Sequence, residues 1–182
     1  MEYYRGLCFL MSGYDEDLGS ILCSESVFDG VLYRYGVRHL TAGEMVRAHR
    51  PKIAIAVHGT DIFLPPSDWV SWWHRGVALA LLFERVRALM GEPIRVRNWW
   101  RPAPYNARVG GATRSDHIDA RAIDLDFGSE YERGVAEGWL VGLQDTNTLR
   151  LSLGLGGRSI HLGLPAGTSR KWYYKSHPDY RK

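Results

Sequence analysis

Polar and apolar residues alternate strictly in two short stretches of the chain. In Ala122-Ile123-Asp124-Leu125-Asp126-Phe127 the apolar Ile123, Leu125 and Phe127 point one way and Ala122, Asp124 and Asp126 the other. In Ser159-Ile160-His161-Leu162-Gly163-Leu164 the apolar residues again share one side, leaving Ser159, His161 and Gly163 opposite. Successive side chains of a strand face opposite ways, so both stretches are expected as half-buried strands with their polar faces toward a cleft. If the two strands are neighbours, Asp124 and His161 meet on that face.

Between Ser67 and Met90 the spacing changes to steps of three and four. Val70, Trp73, Val77, Leu81, Leu82, Val86 and Leu89 predict one apolar face of a helix, capped by Ser67 or Asp68 and closed at Gly91 before Pro93. Ile94 to Trp100 then reads as a strand that ends at Arg101-Pro102. Pro102, Pro104 and Gly110-Gly111 make the stretch up to Ser115 a loop. Upstream, Thr41-Ala42-Gly43-Glu44 has the spacing of a capping box and predicts a short helix from Thr41. Ile53 to Val57 reads as a short strand or buried segment. Residues 1–40 mix apolar and turn signals without a clean period, and are taken as a segment of unclear role packed on the domain. With no repeat or linker, residues 41–182 are expected as one domain ending in a basic, aromatic tail. The fold class is α+β, a small antiparallel sheet flanked by helices.

The polar positions on those strands are candidates for a metal site. A catalytic zinc takes three protein ligands from His, Cys or carboxylate and leaves the fourth place for water. His117, Asp124 and His161 supply such a set, from a loop and two strands. Each alone is weak evidence, since a single His or a strand Asp is more often structural or solvated.

The surrounding residues add weight. Ser115-Asp116-His117-Ile118-Asp119-Ala120-Arg121-Ala122-Ile123-Asp124 resembles the S-x-H-x-x-G-x-A-x-D signature of the zinc D-Ala-D-Ala carboxypeptidase and dipeptidase family, peptidoglycan peptidases related to lysostaphin-type enzymes and the hedgehog domain. Upstream, Glu84 to Arg87, Gly91 to Ile94, Arg101-Pro102 and Tyr105 to Ala112 follow the family's order of helix, strand, Arg-bearing turn and Y-N-x-x-V-G-G-A loop. Downstream, Ser159-Ile160-His161 resembles the strand of the second His ligand, and the likeness spans roughly residues 41–165. It implies one Zn2+ on His117, Asp124 and His161, and Arg101 placed to hold peptide oxygens. It also implies that Ser115 organises the loop, with a plain turn hydroxyl as the other reading, and that Trp100 and Tyr105 border the substrate.

The chain departs from the family pattern in three features. Its general base lies three residues before the second His, or in some branches an Asp lies two after it; here these are Arg158 and Gly163. Ala120 stands where the signature has Gly, a mild change unless the backbone needs positive φ. Asn98-Trp99 replaces Ser-Gly, and Trp99 or Trp100 is expected to narrow the groove. Asp126, about 6.5–7 Å along the strand from Asp124, is the best substitute base. The other reading has it orienting a ligand or facing solvent. Asp119, Glu130, Asp145, His58 and His74 are more remote candidates.

Composition narrows the partners. A net charge of +3 suits an anionic cell wall but is too small to argue for nucleic acid. The tail Arg170-Lys171-Trp172-Tyr173-Tyr174-Lys175 reads as aromatics packing back on the domain, with a polymer-gripping contact as the other reading. Cys8 and Cys23 read as two small buried side chains, though they could pair across a short loop. No run reaches the roughly 18 apolar residues that span a bilayer, and Leu7 to Met11 is too short for a signal-peptide core. The expected protein is made in the cytoplasm and acts on peptidoglycan stem peptides, as phage endolysins do. A zinc-bearing binding or phage structural module that has lost hydrolysis is the alternative, and oligomeric state is left open.

Overall fold

The computed structural model describes residues 16–47 and 72–180. The segment 53–57, His58, the expected helix start at Ser67 or Asp68, Cys8 and the side chain of Cys23 lie outside the described residues. Among the described residues, five helices and five strands follow in order: α1 (Glu16–Arg34), α2 (Ala42–Met45), α3 (Trp73–Met90), β1 (Arg95–Asn98), α4 (Ala103–Arg108), β2 (Ala122–Asp126), α5 (Glu130–Asp145), β3 (Ser152–Leu155), β4 (Ser159–Gly163) and β5 (Arg170–Tyr173). The strands form one sheet in the order β1-β2-β4-β3-β5, antiparallel except for the β3–β5 pair. This is the expected α+β architecture.

The two alternating stretches become neighbouring strands. Asp124 sits directly across from His161, Asp126 across from Ser159 and Ala122 across from Gly163. The apolar face carries Ile123, Leu125, Ile160 and Leu162, all fully buried, together with Leu153 and Leu155 of β3. It packs in one core with α1, α3 and α5.

Local sequence explains the helix ends. The Thr41 hydroxyl accepts the Glu44 N–H (3.2 Å) and the Glu44 carboxylate accepts the Thr41 N–H (2.9 Å), a complete capping box. Helix α3 stops at Gly91, whose φ of +70° is the left-handed conformation a C-cap needs. Its buried face is in part the expected one, since Val77 and Val86 are buried and Trp73 and Leu82 pack on the core. Gly76, Val77, Leu79, Ala80, Phe83 and Val86 are buried, whereas Leu81 and Leu89 face solvent. Apolar residues surround α3, so periodicity alone does not choose a face; close approach does. A Cβ on Gly76 would stand 2.7 Å from the Phe28 ring and 2.8 Å from Trp99, so only the small-residue side admits these rings.

Two elements correct the sequence reading. The stretch after Pro102 is helical rather than loop from Ala103 to Arg108, because Pro102 caps it and Pro104 lies in the first turn, where no N–H is needed. The basic aromatic segment is a strand, β5, paired in parallel with β3, and Trp172 packs over Gly154.

Candidate metal centre

Each member of the triplet is delivered by a different device. His117 lies in the loop before β2, where the Ser115 hydroxyl accepts its backbone N–H (3.3 Å) and its own carbonyl accepts the N–H groups of Arg101 (2.9 Å) and Ala120 (3.1 Å). Its ring is fully buried, and Nδ1 lies 2.5 Å from the Trp99 carbonyl. A carbonyl only accepts, so Nδ1 carries the proton and Nε2 presents a lone pair. Asp124 comes from the polar face of β2. An extra residue in β1, Arg97, shifts the register and puts Asn98 opposite Asp124, with the Asn98 amide 3.4 Å from Oδ2. Oδ1 is left for the histidines. His161 comes from β4, its Nδ1 turned toward the other two.

The three atoms converge. His117 Nε2 lies 3.0 Å from Asp124 Oδ1 and 3.1 Å from His161 Nδ1, and that nitrogen lies 3.0 Å from Oδ1. These separations approach the roughly 3.3 Å between ligands of a tetrahedral zinc bonded at about 2.0–2.1 Å. With the His117 proton on Nδ1 and Asp124 ionised, at least two lone pairs face each other in a buried site, an arrangement a cation relieves. The donor set, two imidazoles and a carboxylate, is that of a zinc site with a position left open.

Electrostatics act differently on the three side chains. Burial holds the His117 pKa below its ordinary value despite the neighbouring Asp124. For Asp124, burial works against the charged form, yet the two histidines hold its carboxyl well below the usual range. Burial likewise opposes a charged His161, but Asp116 and Asp124 outweigh it and raise the pKa.

Sequence reasoning passed over Asp116. Its Oδ2 lies 3.7 Å from His161 Nε2, on the ring edge away from the triplet, and the Arg170 guanidinium binds the same oxygen. A period-based reading had no means of finding it, because the contact depends on how the loop folds under β4.

The remaining candidates are scattered. Arg101 is half-buried, and its charge is felt at His117, Tyr105 and Tyr174. Ser115 borders an open cleft with Arg114, Asp116, Arg121 and Arg170. Trp100 is buried, its indole donating to the Ile118 carbonyl (3.1 Å), and Trp99 is fully buried against Phe28, donating to the Ala120 carbonyl (3.1 Å). Tyr105 is buried on α4, and burial pushes its hydroxyl up to about 12. Asp126 is half-buried, with the Arg97 Nε 3.3 Å from its Oδ2. Asp119 is exposed beside Arg121, Glu130 and Asp145 lie at the two ends of α5, and His74 is exposed on α3. Arg158 is exposed in the turn before β4. Ala120 has φ of +53°, so the replacement of Gly falls where the backbone is left-handed.

No curated protein and no solved structure matches the chain. The family model Peptidase M15 matches residues 60–137, a segment that carries His117 and Asp124 and ends before His161. The match agrees with the resemblance of the signature to the zinc D-Ala-D-Ala carboxypeptidase family.

Proposed function

We propose that the protein is a zinc peptidase that hydrolyses peptide bonds involving D-amino acids in bacterial peptidoglycan, acting at the cell wall in the manner of a phage endolysin. The observation that carries this reading is the convergence of His117 Nε2, Asp124 Oδ1 and His161 Nδ1 within 3.0–3.1 Å of one another. Zinc bound there would polarise the scissile carbonyl and lower the pKa of its water to about 7.

The chain supplies the rest. The Trp99 carbonyl fixes the His117 ring, and the capping of the 115–120 turn fixes its backbone. Arg101, tied by its N–H to the His117 carbonyl, is assigned to hold the peptide oxygens and stabilise charge as the water oxygen bonds to the carbonyl carbon. Asp126 is assigned to take that water's proton and return it to the amine nitrogen as the C–N bond breaks. It shares the face of Asp124 on β2, and the Arg97 Nε lies 3.3 Å from its Oδ2. The stem peptide is the expected partner. Trp172 and Tyr174, stacked edge to face beside His161, form an aromatic wall for it.

A second reading, a zinc-bearing wall-binding or phage structural module without turnover, is favoured by one observation. Positions 158 and 163 hold no carboxylate, and the ion pair with Arg97 occupies Asp126. Incubating zinc-loaded protein with purified peptidoglycan and synthetic stem peptides, with fragments identified by mass, separates the two. Cleavage that is lost in His117→Ala establishes a peptidase and names its bond, and Asp126→Asn should then lower kcat at least 100-fold. Stoichiometric zinc without any cleavage moves the binding module ahead.

A further inference from the structure

We infer that Asp116 is the positioning carboxylate for His161: it holds that ring with the proton on Nε2 and so turns Nδ1 toward the metal. The inference rests on the metal-centre reading above and assigns a residue that reading does not use. Asp116 itself makes no contact with the three ligand atoms. Its Oδ2 faces the opposite edge of the His161 ring, 3.7 Å from Nε2, while Nδ1 of the same ring lies 3.0 Å from Asp124 Oδ1. A metal on the triplet displaces any proton from Nδ1, and the ring proton that remains, on Nε2, then faces the Asp116 carboxylate. The lone pair then lies on the nitrogen that points into the triplet.

The carboxylate is itself held in place. The Arg170 guanidinium binds Oδ2, and Arg170 Nε donates to the Ser152 hydroxyl (2.7 Å), which also serves Asp116. The backbone is fixed as well, since the Asp116 carbonyl accepts the Arg121 N–H at 2.8 Å. The Asp116 side chain is only 11% exposed, as expected of a group placed to act on a buried partner.

Gly163 makes the arrangement possible. A Cβ at position 163 would stand 3.1 Å from Asp116 Oδ2 and 3.0 Å from Ser152 Cβ. The space beside His161 where a side chain from β4 would project is therefore filled by a carboxylate from the loop. The sheet supplies Asp124 to one edge of the ring and the loop supplies Asp116 to the other. A second carboxylate on a ligand imidazole fixes its tautomer and raises its basicity, and removing such a partner costs about 10–100-fold in metal affinity.

The test is zinc affinity, measured by competition with a chromophoric chelator, for the parent chain, Asp116→Asn, Asp116→Ala and the control Asp119→Asn. The control removes a nearby charge from an exposed position that touches no ligand, so it reports the effect of charge alone. We expect the two Asp116 variants to bind zinc at least tenfold more weakly and the control to stay within about twofold. In zinc-loaded protein the His161 Nε2 proton should be visible by NMR and slow to exchange in the parent, and should exchange faster in Asp116→Asn. Thermal melts of the zinc-free proteins identify any variant that does not fold, and Asp116→Asn, equal in shape, keeps the comparison available. Zinc affinity unchanged in folded Asp116→Asn would overturn the assignment, as would an equal loss in Asp119→Asn. A parent chain that binds no zinc overturns the metal-centre reading instead, and the two failures are distinguishable.

Discussion

At residue 120 two costs oppose each other. Ala120 is fully buried and left-handed, and the turn that carries His117 depends on it, since its N–H bonds the His117 carbonyl and its carbonyl takes the Trp99 indole. A left-handed Ala costs roughly 1–2 kcal/mol, which Ala120→Gly would recover. The same change loses a buried methyl, about 0.8 kcal/mol. It also frees the unfolded chain by about 0.4–1 kcal/mol. The terms nearly cancel, so urea unfolding should place Ala120→Gly within about 1 kcal/mol of the parent. Ala120→Val adds branching at a backbone that disfavours it and volume in a filled site, and should cost about 3 kcal/mol. A Val variant as stable as the parent would mean the turn relaxes out of the left-handed region.

Between α1 and α2, a single carboxylate on α3 gathers the chain. Glu84 accepts the N–H groups of Arg38 and His39 at 2.6 Å each and contacts His39 Nδ1 at 2.7 Å. Partial burial disfavours its charge, but these bonds outweigh burial and lower its pKa. A lowered folded value means stability that is present above the unfolded pKa, near 4.3, and lost as pH falls through the folded value. Glu84→Gln should therefore cost about 1–2 kcal/mol at pH 7, and the gap from the parent should close below pH 4. Chemical unfolding at pH 7 and at pH 3.5 checks this, and a gap that does not change with pH would show that the bonds, not the charge, matter.

Ser129→Ala tests a second element. The Ser129 hydroxyl caps α5 while Glu132 bonds back to the N–H groups of Gly128 (2.8 Å) and Ser129 (3.2 Å), so the variant should lose about 1 kcal/mol. These caps show which elements are legible in the residues. The S-x-x-E of α5 is as plain as the T-x-x-E of α2, although only the latter was read. β2 and β4 are legible because each has one polar and one apolar face. The outward turn of Leu81 and Leu89 on α3 is not, because apolar residues lie on more than one side of that helix and the choice belongs to Phe28 and Trp99. The bulge at Arg97 and the parallel pairing of β5 depend on residues distant in sequence, and local pattern carries no record of them. The triplet was legible because motif and alternation agreed on it, whereas Asp116 was not, since its partner stands 45 residues away on β4.

For the whole molecule, the metal and the sheet are coupled because the ligands come from three separate segments. His117 precedes β2, Asp124 lies on β2 and His161 on β4, and the matched family segment ends before the last of these. Zinc that binds the folded chain alone stabilises it by about 4.1 kcal/mol at a thousandfold excess over Kd. For a chain of this size, that is a rise in Tm of roughly 8–16 °C. The apolar face of the sheet packs in its own right, with Ile123, Leu125, Ile160 and Leu162 fully buried, so the zinc-free chain should still melt cooperatively. Scanning calorimetry of the chelator-treated protein, with and without added zinc, should show the rise for the parent and none for His161→Ala. A rise of equal size in His161→Ala would place the bound ion somewhere other than this triplet. Loss of cooperative melting in the zinc-free parent would mean instead that the metal organises the sheet rather than occupying a site the sheet has already built.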